Sequence, residues 1–454
     1  MKILKSLNSP VIFPIIFFAL IIFMGSILLY ITEINTNSSI SWTDLLFTAT
    51  SAACVTGLTV VDTGTYFSES GQIVILCLIQ IGGFGIMTLT SLSIYLWRRQ
   101  TSITDRIAVG QVLLHDTRFN LGKFLIEIVS WTLLIECIGA LIIYFLEPNS
   151  FSLFSALFHS ISAFCNAGFS LFPDNLTAWK GDWCMNLVFM SLIILGGIGF
   201  SVFVESKNYI KKFFLKCKSL PDYQLSWYSK MVIRTSIFLI IIGWLSIYIS
   251  EYVGYNRIMI LDDALLTCLF QSVTSRTAGF NTVDIGQMTN VSLVIILFLM
   301  FIGGAPGSCA GGIKLTTFRV IVASIVSELK GKKQVVIGKY AINEAAVKKA
   351  MVLFVISIMV VFIAAFTLDF TEGGDKPHHV VRGQFLEILF ESVSAFCTVG
   401  LSTGLTPKLS IIGKWIIILL MFIGRLGPFV LIAALQSVHD IQYYKLPEEN
   451  IMIG

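Results

Sequence analysis

An eleven-residue pattern occurs four times in the chain without gaps, and it constrains the fold more than any other feature. The copies read TATSAACVTGL, HSISAFCNAGF, FQSVTSRTAGF and ESVSAFCTVGL. Each copy ends in a glycine followed by a bulky apolar residue, and the four glycines are Gly57, Gly168, Gly279 and Gly400. Because the glycines lie 111, 111 and 121 residues apart, we expect four similar units in the same orientation.

The residues around these copies indicate a membrane protein. The 454-residue chain is 56% hydrophobic and 13% charged, with a mean hydropathy of +0.84. This is about half the usual share of charge in a soluble domain, which excludes a soluble enzyme and a disordered chain. An apolar run near the N-terminus is too long for a signal peptide and is interpreted as a first span. The other candidate spans are 72–97, 124–146, 184–204, 231–250, 291–302, 351–368 and 414–435.

Four shorter, half-apolar segments of about 15 residues cannot cross a bilayer and fit re-entrant hairpins. They are 42–56, 151–167, 262–278 and 385–399. The predicted fold is an all-α polytopic membrane protein, in which four parallel span–pore loop–span repeats surround a central pore. It would have eight transmembrane helices and four re-entrant pore helices, as in potassium channels. The predicted units are 1–100, 118–218, 225–334 and 345–443, with a cytoplasmic tail at 444–454.

The distribution of lysine and arginine predicts the orientation of the chain. Both termini and alternate loops carry 23 of the 31 basic residues, whereas the intervening loops carry six. Basic residues concentrate on the cytoplasmic side, so both termini are expected there, in a bacterial inner membrane. The remaining two, Arg276 and Arg425, lie within the predicted pore region.

The glycine turns are expected to form an ion filter made of backbone. Irregular backbone at membrane depth persists only where protein buries it or where it lines a water-filled path. Four turns around one axis would present carbonyl oxygens that replace the hydration shell of a monovalent cation. Close helix packing by small residues is the alternative explanation for the glycines. The candidate filter residues, whose carbonyls would bind a monovalent cation, are Cys54, Val55, Thr56, Gly57, Cys165, Asn166, Ala167, Gly168, Arg276, Thr277, Ala278, Gly279, Cys397, Thr398, Val399 and Gly400.

A second set of glycines follows the first by 25, 28, 24 and 24 residues, in the middle of the next predicted span. The set begins at Gly82, Gly196, Gly303 and Gly424. For these residues, close packing of inner helices and a direct role at the pore remain equally open.

The fourfold plan, with SRTAGFNT at 275–282 and FESVSAFCTVGLSTG at 390–404, resembles the Trk/Ktr/HKT superfamily of potassium transporters over almost the whole chain. It is most similar to the membrane subunit of Ktr systems. The resemblance implies that the four glycines set cation choice. Some sodium-preferring plant members have serine at the first position, so with Gly57 the resemblance implies that potassium is the transported ion and binds at the filter carbonyls. Sodium is the second candidate ion, and no covalently bound cofactor is expected.

The resemblance also implies the partners of the chain. They are a second copy in a homodimer, membrane lipids, and a separate cytoplasmic ring of RCK subunits that binds nucleotide. The chain itself has no recognisable nucleotide-binding domain, and nucleic acid is not expected as a partner. The basic cluster of Lys330, Lys332 and Lys333 is a candidate docking point for the ring.

The third unit differs from the others after the run at 291–302, where the chain reads GGAPGSCAGGIKLTTFRV. Glycine costs about 1 kcal/mol and proline about 3 kcal/mol per helix position, so this stretch predicts a break in the inner helix. A nucleotide-binding P-loop is excluded because Ile313 separates Gly312 from Lys314. The resemblance implies a flexible intramembrane gate, with a passive kink as the alternative. The candidate gate residues are Gly303, Gly304, Ala305, Pro306, Gly307, Ser308, Gly311, Gly312 and Arg425.

Arg425 occupies the corresponding point of the fourth unit, inside an apolar helix. Such a residue normally faces a partner or a water-filled cavity, and we expect it to act with the glycine loop as the gate. A static ion pair, with Glu136 as one candidate partner, is the alternative. Arg276 replaces the cysteine found in the other filter segments, and its side chain is expected to point away from the axis and brace the filter wall.

Other functional classes fit less well. The nine cysteines contain no CxxC pair and are expected to be free, buried thiols. The five histidines show no metal-site spacing, and no nucleophile elbow occurs, so an enzyme is not expected. A symporter coupled to sodium, a sodium/potassium transporter of the same fold, and a carrier with alternating access remain open.

Overall fold

A computed structural model describes residues 12–34, 41–84, 121–215, 225–253, 261–373, 377, 381 and 383–427. In chain order the helices are α1 (Ile12–Glu33), α2 (Trp42–Ala53), α3 (Thr63–Tyr66), α4 (Glu69–Gly83), α5 (Leu121–Leu146), α6 (Leu153–Phe164), α7 (Trp183–Gly197), α8 (Phe200–Leu215), α9 (Trp227–Tyr248), α10 (Leu261–Thr274), α11 (Asn290–Phe301), α12 (Leu315–Leu329), α13 (Glu344–Glu372), α14 (Gln384–Phe396) and α15 (Ile411–Leu426). A π-helical turn, Ile249–Val253, extends α9, and 3-10 turns occupy Thr177–Trp179, Ile285–Gln287 and Thr406–Lys408. The strands β1 (Val336–Ile337) and β2 (Tyr340–Ala341) form a small antiparallel hairpin.

Each quarter of the chain begins with a long outer helix, namely α1, α5, α9 or α13. These four helices are apolar over 19 or more residues, with mean hydropathies of 2.0 to 2.9, so each is long enough to cross a membrane. Their large exposed side chains, such as Phe23, Leu141 and Phe366, form the outer surface that lipid would contact. The prediction of a polytopic, all-helical membrane protein is confirmed.

A short pore helix of 12 to 14 residues follows each outer helix, as the half-apolar segments predict. Ser41 and Ser152 cap the first two, because their side chains accept hydrogen bonds from the amides of Asp44 and Ser155. The pore helices are α2, α6, α10 and α14, and they end within three to four residues of the predicted limits.

Outside the third unit, where α11 has the predicted length of 12 residues, the inner helices are shorter than the predicted spans. The first halves, α4, α7, α11 and α15, contain 12 to 16 residues and end at the second set of glycines. The inner helix of the third unit is broken between α11 and α12, where the sequence predicts a break, and that of the second unit is also broken, because α7 and α8 meet at 109° across Ile198 and Gly199. Gly199 has a φ of +92°, which allows the sharp bend. Residues 85–97 and 428–435 lie outside the described part of the chain, so the number of eight spans stays a prediction.

A glutamate at the end of the outer helix anchors the start of the inner helix in three of the four units. It accepts hydrogen bonds from the backbone amide and the hydroxyl of the residue that caps the inner helix, at distances of 2.6–3.2 Å. The pairs are Glu33 with Ser68, Glu251 with Thr289, and Glu372 with Ser410. In the second unit, Asp182 caps α7 with its own carboxylate. The repeated contact sets the spacing of the two helices that flank each pore helix.

The eight cysteines in the described part of the chain are free, as expected. Five are buried, but Cys77, Cys137 and Cys184 are exposed on α4, α5 and α7, respectively, which corrects the expectation that the thiols are buried. Their apolar neighbours along the chain explain why sequence alone assigned them to the interior.

Candidate functional site

The four pore helices end in turns with the same unusual backbone. The residues two before each glycine have φ between +50° and +74°, and the glycines have φ between +71° and +91°. Such conformations are uncommon for residues with a Cβ, and four of the five non-glycine cases in the described residues lie in these turns. The four are Val55, Asn166, Thr277 and Thr398. Left-handed residues at every second position turn successive carbonyls toward the same side.

The four glycines pack against one another in a closed ring. A Cβ added to each glycine would lie closer than 3.0 Å to the carbonyl oxygen of the residue preceding the next glycine. The contacts run from Gly57 to Ala167, from Gly168 to Ala278, from Gly279 to Val399, and from Gly400 to Thr56. The ring follows the order of the units along the chain and closes on itself. The repeat inferred from sequence therefore corresponds to four quadrants around one axis.

Hydroxyl groups in the last turn of each pore helix bind the turn that follows it. The Ser51 and Ser394 hydroxyls each accept a hydrogen bond from a filter glycine amide at 3.1 Å. Ser162 Oγ donates to the Phe169 carbonyl at 2.8 Å, and Thr274 Oγ1 donates to the Phe280 carbonyl at 2.6 Å. Sequence reasoning missed these groups. Their signal was a hydroxyl at similar positions of all four copies.

A cavity of about 450 Å³ lies on one side of the ring and contains all four glycines in its lining. We call it the vestibule. Three carboxylates, Asp62, Asp174 and Asp284, also line it, one from each of the first three units. Sequence reasoning missed these acids, which follow the glycines by only five or six residues. The vestibule gives the ring a negatively charged approach from this side.

The residues three before each glycine lie behind the ring. Cys54, Cys165 and Cys397 are buried and end their pore helices as C-caps. Arg276 is half-buried, and its Nη1 donates to the Ser236 carbonyl of α9 at 3.5 Å. Its Nε has no hydrogen-bond partner within the described chain. The Arg276 side chain thus reaches toward an outer helix, where one long hydrogen bond holds it.

The glycine-rich loop of the third unit lies directly beneath the ring. Gly311 and Gly312 face the fourth filter segment, since an added Cβ would contact Thr398 or Cys397. The loop closes on itself through a hydrogen bond of 2.9 Å from the Gly303 amide to the Ile313 carbonyl. The predicted gate residues are therefore brought together below the predicted filter.

The same loop is bonded to the bend of the second unit. Its amides at Ala305 and Cys309 donate to the carbonyls of Gly197 and Gly196, at 3.1 Å and 3.3 Å. In return, the Phe200 amide, just after the bend, donates to the Gly307 carbonyl at 3.0 Å. Movement of the loop would therefore require rearrangement of a second broken helix.

Arg425 is buried and connects three units beneath the ring. Its Nη1 donates to the carbonyl of Cys309 in the loop, and its Nη2 donates to the carbonyl of Gly82 at the end of α4. The suggested static pair with Glu136 is wrong. The Glu136 carboxylate instead accepts from Gln80 Nε2 at 3.1 Å and 3.2 Å, and from Cys165 Sγ at 3.6 Å.

Lys314 is a further cation at the base of the loop, and sequence reasoning gave it no role. Its Nζ donates to the Ala310 carbonyl at 2.6 Å. Both Lys314 and Arg425 thus donate hydrogen bonds to backbone carbonyls of the glycine-rich loop. The signal for Lys314 was its position two residues after the last loop glycine.

Three glycines of the second set pack against the ends of the pore helices. A Cβ at Gly82, Gly196 or Gly424 would overlap the carbonyl of Ala53, Phe164 or Phe396, respectively. Close packing therefore explains these three residues, and Gly303 instead packs within the loop against the Gly311 carbonyl. The inner helices approach the pore helices as nearly as backbones can.

Four helix–turn–helix units around a closed ring of glycine turns are the architecture of a channel-like class of membrane transport proteins. The model of the family described as TrkH, cation transport protein, matches residues 8–440. The chain therefore belongs to this family of transporters, which are not enzymes.

Relatives of known name are similar over nearly their whole length. The Ktr system potassium uptake protein B of Bacillus subtilis is 42% identical, covering 98% of this chain and 97% of that protein. The potassium/sodium uptake protein NtpJ of Enterococcus hirae is 35% identical, covering 100% and 99%. The crystal structure of the potassium transporter TrkH from Vibrio parahaemolyticus has a TM-score of 0.74 at 20% identity, covering 94% of this chain and 84% of that one. This structural likeness confirms the potassium-channel-like fold expected from the repeats.

Proposed function

We propose that the chain takes up potassium across the cell membrane through a selectivity filter built from the four glycine turns. The closed ring of glycines and neighbouring carbonyls is the observation that carries the proposal. Backbone carbonyls held in fixed positions can replace the hydration shell of a monovalent cation. Each filter stretch runs from the residue three before a glycine to that glycine. The four stretches contain no carboxylate, which favours potassium over a divalent ion. Relatives that are 42% and 37% identical bear the name Ktr system potassium uptake protein B.

The loop from Gly303 to Gly312 acts with Arg425 as the gate of this pathway. The loop lies against the fourth filter segment, and Arg425 ties it to α4 and α15. A positive charge beneath a cation filter opposes passage, so opening requires the loop and the guanidinium to move aside. The bend at Gly199 is hydrogen-bonded to the loop and would move with it.

Relaxed selectivity is a second candidate function. The 35% identical relative NtpJ is named a potassium/sodium uptake protein, which supports sodium as an additional transported or coupled ion. Coupling would make the chain a symporter, and a carrier mechanism would show saturable exchange without channel-like turnover. Flux measured with potassium, rubidium and sodium separately distinguishes these cases.

Regulation by a partner follows from the name of the relatives. A Ktr system implies a separate regulatory subunit, for which a cytoplasmic, nucleotide-binding RCK ring is the candidate. We assign the chain to a bacterial inner membrane as a homodimer with one pore per protomer. The excess of basic residues on alternate loops supports both termini being cytoplasmic.

Growth of a potassium-uptake-deficient bacterium on low potassium tests the proposal directly. The chain, expressed with its cytoplasmic partner, should restore growth and rubidium uptake, whereas no rescue and no flux would disprove potassium uptake. Serine at Gly57, Gly168, Gly279 and Gly400 should lower the preference for potassium over sodium. Unchanged selectivity with all four substitutions would reject the filter assignment.

A further inference from the structure

We propose that Glu391 is a positioning residue for ion entry. It holds the turn after the fourth filter segment and supplies a negative charge that no other described residue of this unit places at the vestibule. This inference rests on the proposed function of the four glycine turns as a cation filter.

The first and third units begin the turn after the filter with an aspartate, five residues after the glycine. Asp62 accepts hydrogen bonds from the amide and hydroxyl of Thr65, at 3.0 Å and 2.5 Å. Asp284 accepts from the Gly286 amide and from Gln287 Nε2, both at 3.0 Å. Each aspartate therefore shapes a turn and places a charge on the vestibule wall.

The fourth unit has an apolar residue at this position. Leu405 is five residues after Gly400 and precedes the corresponding 3-10 turn, Thr406–Lys408, without a side-chain cap. Glu391 replaces the missing cap from the pore helix beneath. Its Oε1 accepts from the Ser402 hydroxyl and from the Thr403 amide at 3.1 Å, and its Oε2 accepts from Thr406 Oγ1 at 2.8 Å.

The surroundings of Glu391 make its charge effective. The residue is 1% exposed, and it forms no ion pair within the described residues. The Thr403 amide can only donate, so the Glu391 carboxylate accepts this hydrogen bond, and such a bond favours the ionised form. A charge that water cannot screen acts strongly over short distances.

This charge lies one side chain away from the vestibule. Ser402, which bonds to Glu391, also lines the vestibule beside Gly400. The equivalent positions in the other units are Thr48, His159 and Phe270, none of which is acidic. With Asp62, Asp174 and Asp284, Glu391 therefore completes one negative charge per quadrant around the ion entrance.

Rubidium uptake measured over a range of concentrations separates the effect of the Glu391 charge from the effect of its hydrogen bonds to the turn. Glu391→Gln keeps the shape and one acceptor but removes the charge, so the half-saturating concentration should rise about three- to tenfold with little change in maximal rate. Thr406→Val removes a hydrogen bond and keeps the charge, so half-saturation should stay at the wild-type value. Glu372→Gln is the matched control, because Glu372 also accepts from a serine hydroxyl and a backbone amide, but its partner Ser410 does not line the vestibule, whereas Ser402 does.

A second substitution should restore the charge from the wall of the vestibule. Leu405→Asp occupies the position of Asp62 and Asp284, so it should return the Glu391→Gln protein toward wild-type half-saturation. In the wild-type background, Leu405→Asp should lower the half-saturating concentration, which tests the charge even if Glu391→Gln folds poorly. Equal behaviour of Glu391→Gln and Glu372→Gln, or no response to Leu405→Asp in either background, would overturn the proposal. Rubidium flux through the wild-type protein in the same vesicles tests the proposed filter. Absence of that flux would reject the filter, whereas normal wild-type flux with the outcomes above would reject only the role of Glu391.

Discussion

Lys414 Nζ lies 2.7 Å from Asp44 Oδ1 and joins the last inner helix to the first pore helix. The pair bridges 370 residues of sequence and closes the circle of units at the seam between the fourth and the first. Both side chains are about 15% exposed, so solvent screens the pair only partly. An ion pair at this place holds together two elements that the chain connects only by way of the second and third units.

Breaking this pair should destabilise the closed ring. Lys414→Met or Asp44→Asn should each reduce the free energy of unfolding in detergent by about 1–3 kcal/mol, because one partly buried charge stays without its partner. The double variant should lose less than the sum of the two. Loss of the Lys207–Glu127 pair is the control, since its side chains are 25% and 32% exposed and it lies within one unit. A larger loss at the control pair would contradict the importance of the seam.

Alanine at Gly57 should disrupt the ring, whereas alanine at Gly404 should not. The two glycines have φ of +91° and +92°, so both substitutions carry similar backbone strain of about 1–2 kcal/mol. A Cβ at Gly57 would meet the Ala167 carbonyl, but nothing lies within 4 Å of a Cβ at Gly404. We expect Gly57→Ala to change rubidium flux or the potassium/sodium ratio by about tenfold or more, with Gly404→Ala near wild type. Equal effects would attribute the loss to strain alone.

Removing the guanidinium of Arg425 should open the pathway. Two charge-assisted hydrogen bonds to the loop and to α4 are lost in Arg425→Ala, and each contributes about 1.5–3 kcal/mol. Rubidium flux into vesicles without the cytoplasmic partner should rise about tenfold or more. Arg425→Lys is the matched variant, because a lysine keeps the charge but cannot span both carbonyls in the same geometry. An unchanged flux in a stable Arg425→Ala protein would leave the residue with a structural role.

The fourfold plan was predictable because an eleven-residue pattern occurs four times in the sequence without gaps. The half-apolar segments of about 15 residues predicted the four pore helices to within a few residues. The backbone at Val55 and its three counterparts was not predictable, because tertiary packing imposes the left-handed conformation on residues that do not favour it.

Contacts between units were beyond the reach of sequence. The partners of Arg425 are backbone carbonyls of Cys309 and Gly82, and a carbonyl has no residue type by which a pattern can reveal it. The bend at Gly199 was missed for a similar reason. One glycine pair within an apolar run is tolerated by many straight helices, and the neighbouring loop decides the outcome here.

Neutralising the vestibule carboxylates should weaken uptake at low ion concentration. Asp62, Asp174 and Asp284 line the cavity of about 450 Å³ that leads to the four glycines. Replacing all three with asparagine should raise the half-saturating rubidium concentration by about tenfold, because a cavity lined by carboxylates raises the local cation concentration. The difference should shrink at high ionic strength, which screens exposed charges. An effect that does not depend on salt would indicate that the substitutions change the structure of the vestibule rather than its electric field.

The basic cluster after α12 should contribute to binding of the cytoplasmic partner. Lys330, Lys332 and Lys333 are exposed and precede the hairpin of β1 and β2, so their charges are available to an acidic surface. Replacing the three with glutamine should weaken co-purification of the regulatory subunit by about tenfold at low salt and less at high salt, because exposed charges are screened. Glutamine at the exposed residues Lys180 and Lys408, which flank the vestibule turns, is the control. Binding that is unaffected by the cluster but reduced by the control pair would place the partner elsewhere, since electrostatic docking requires the charges to lie in the interface.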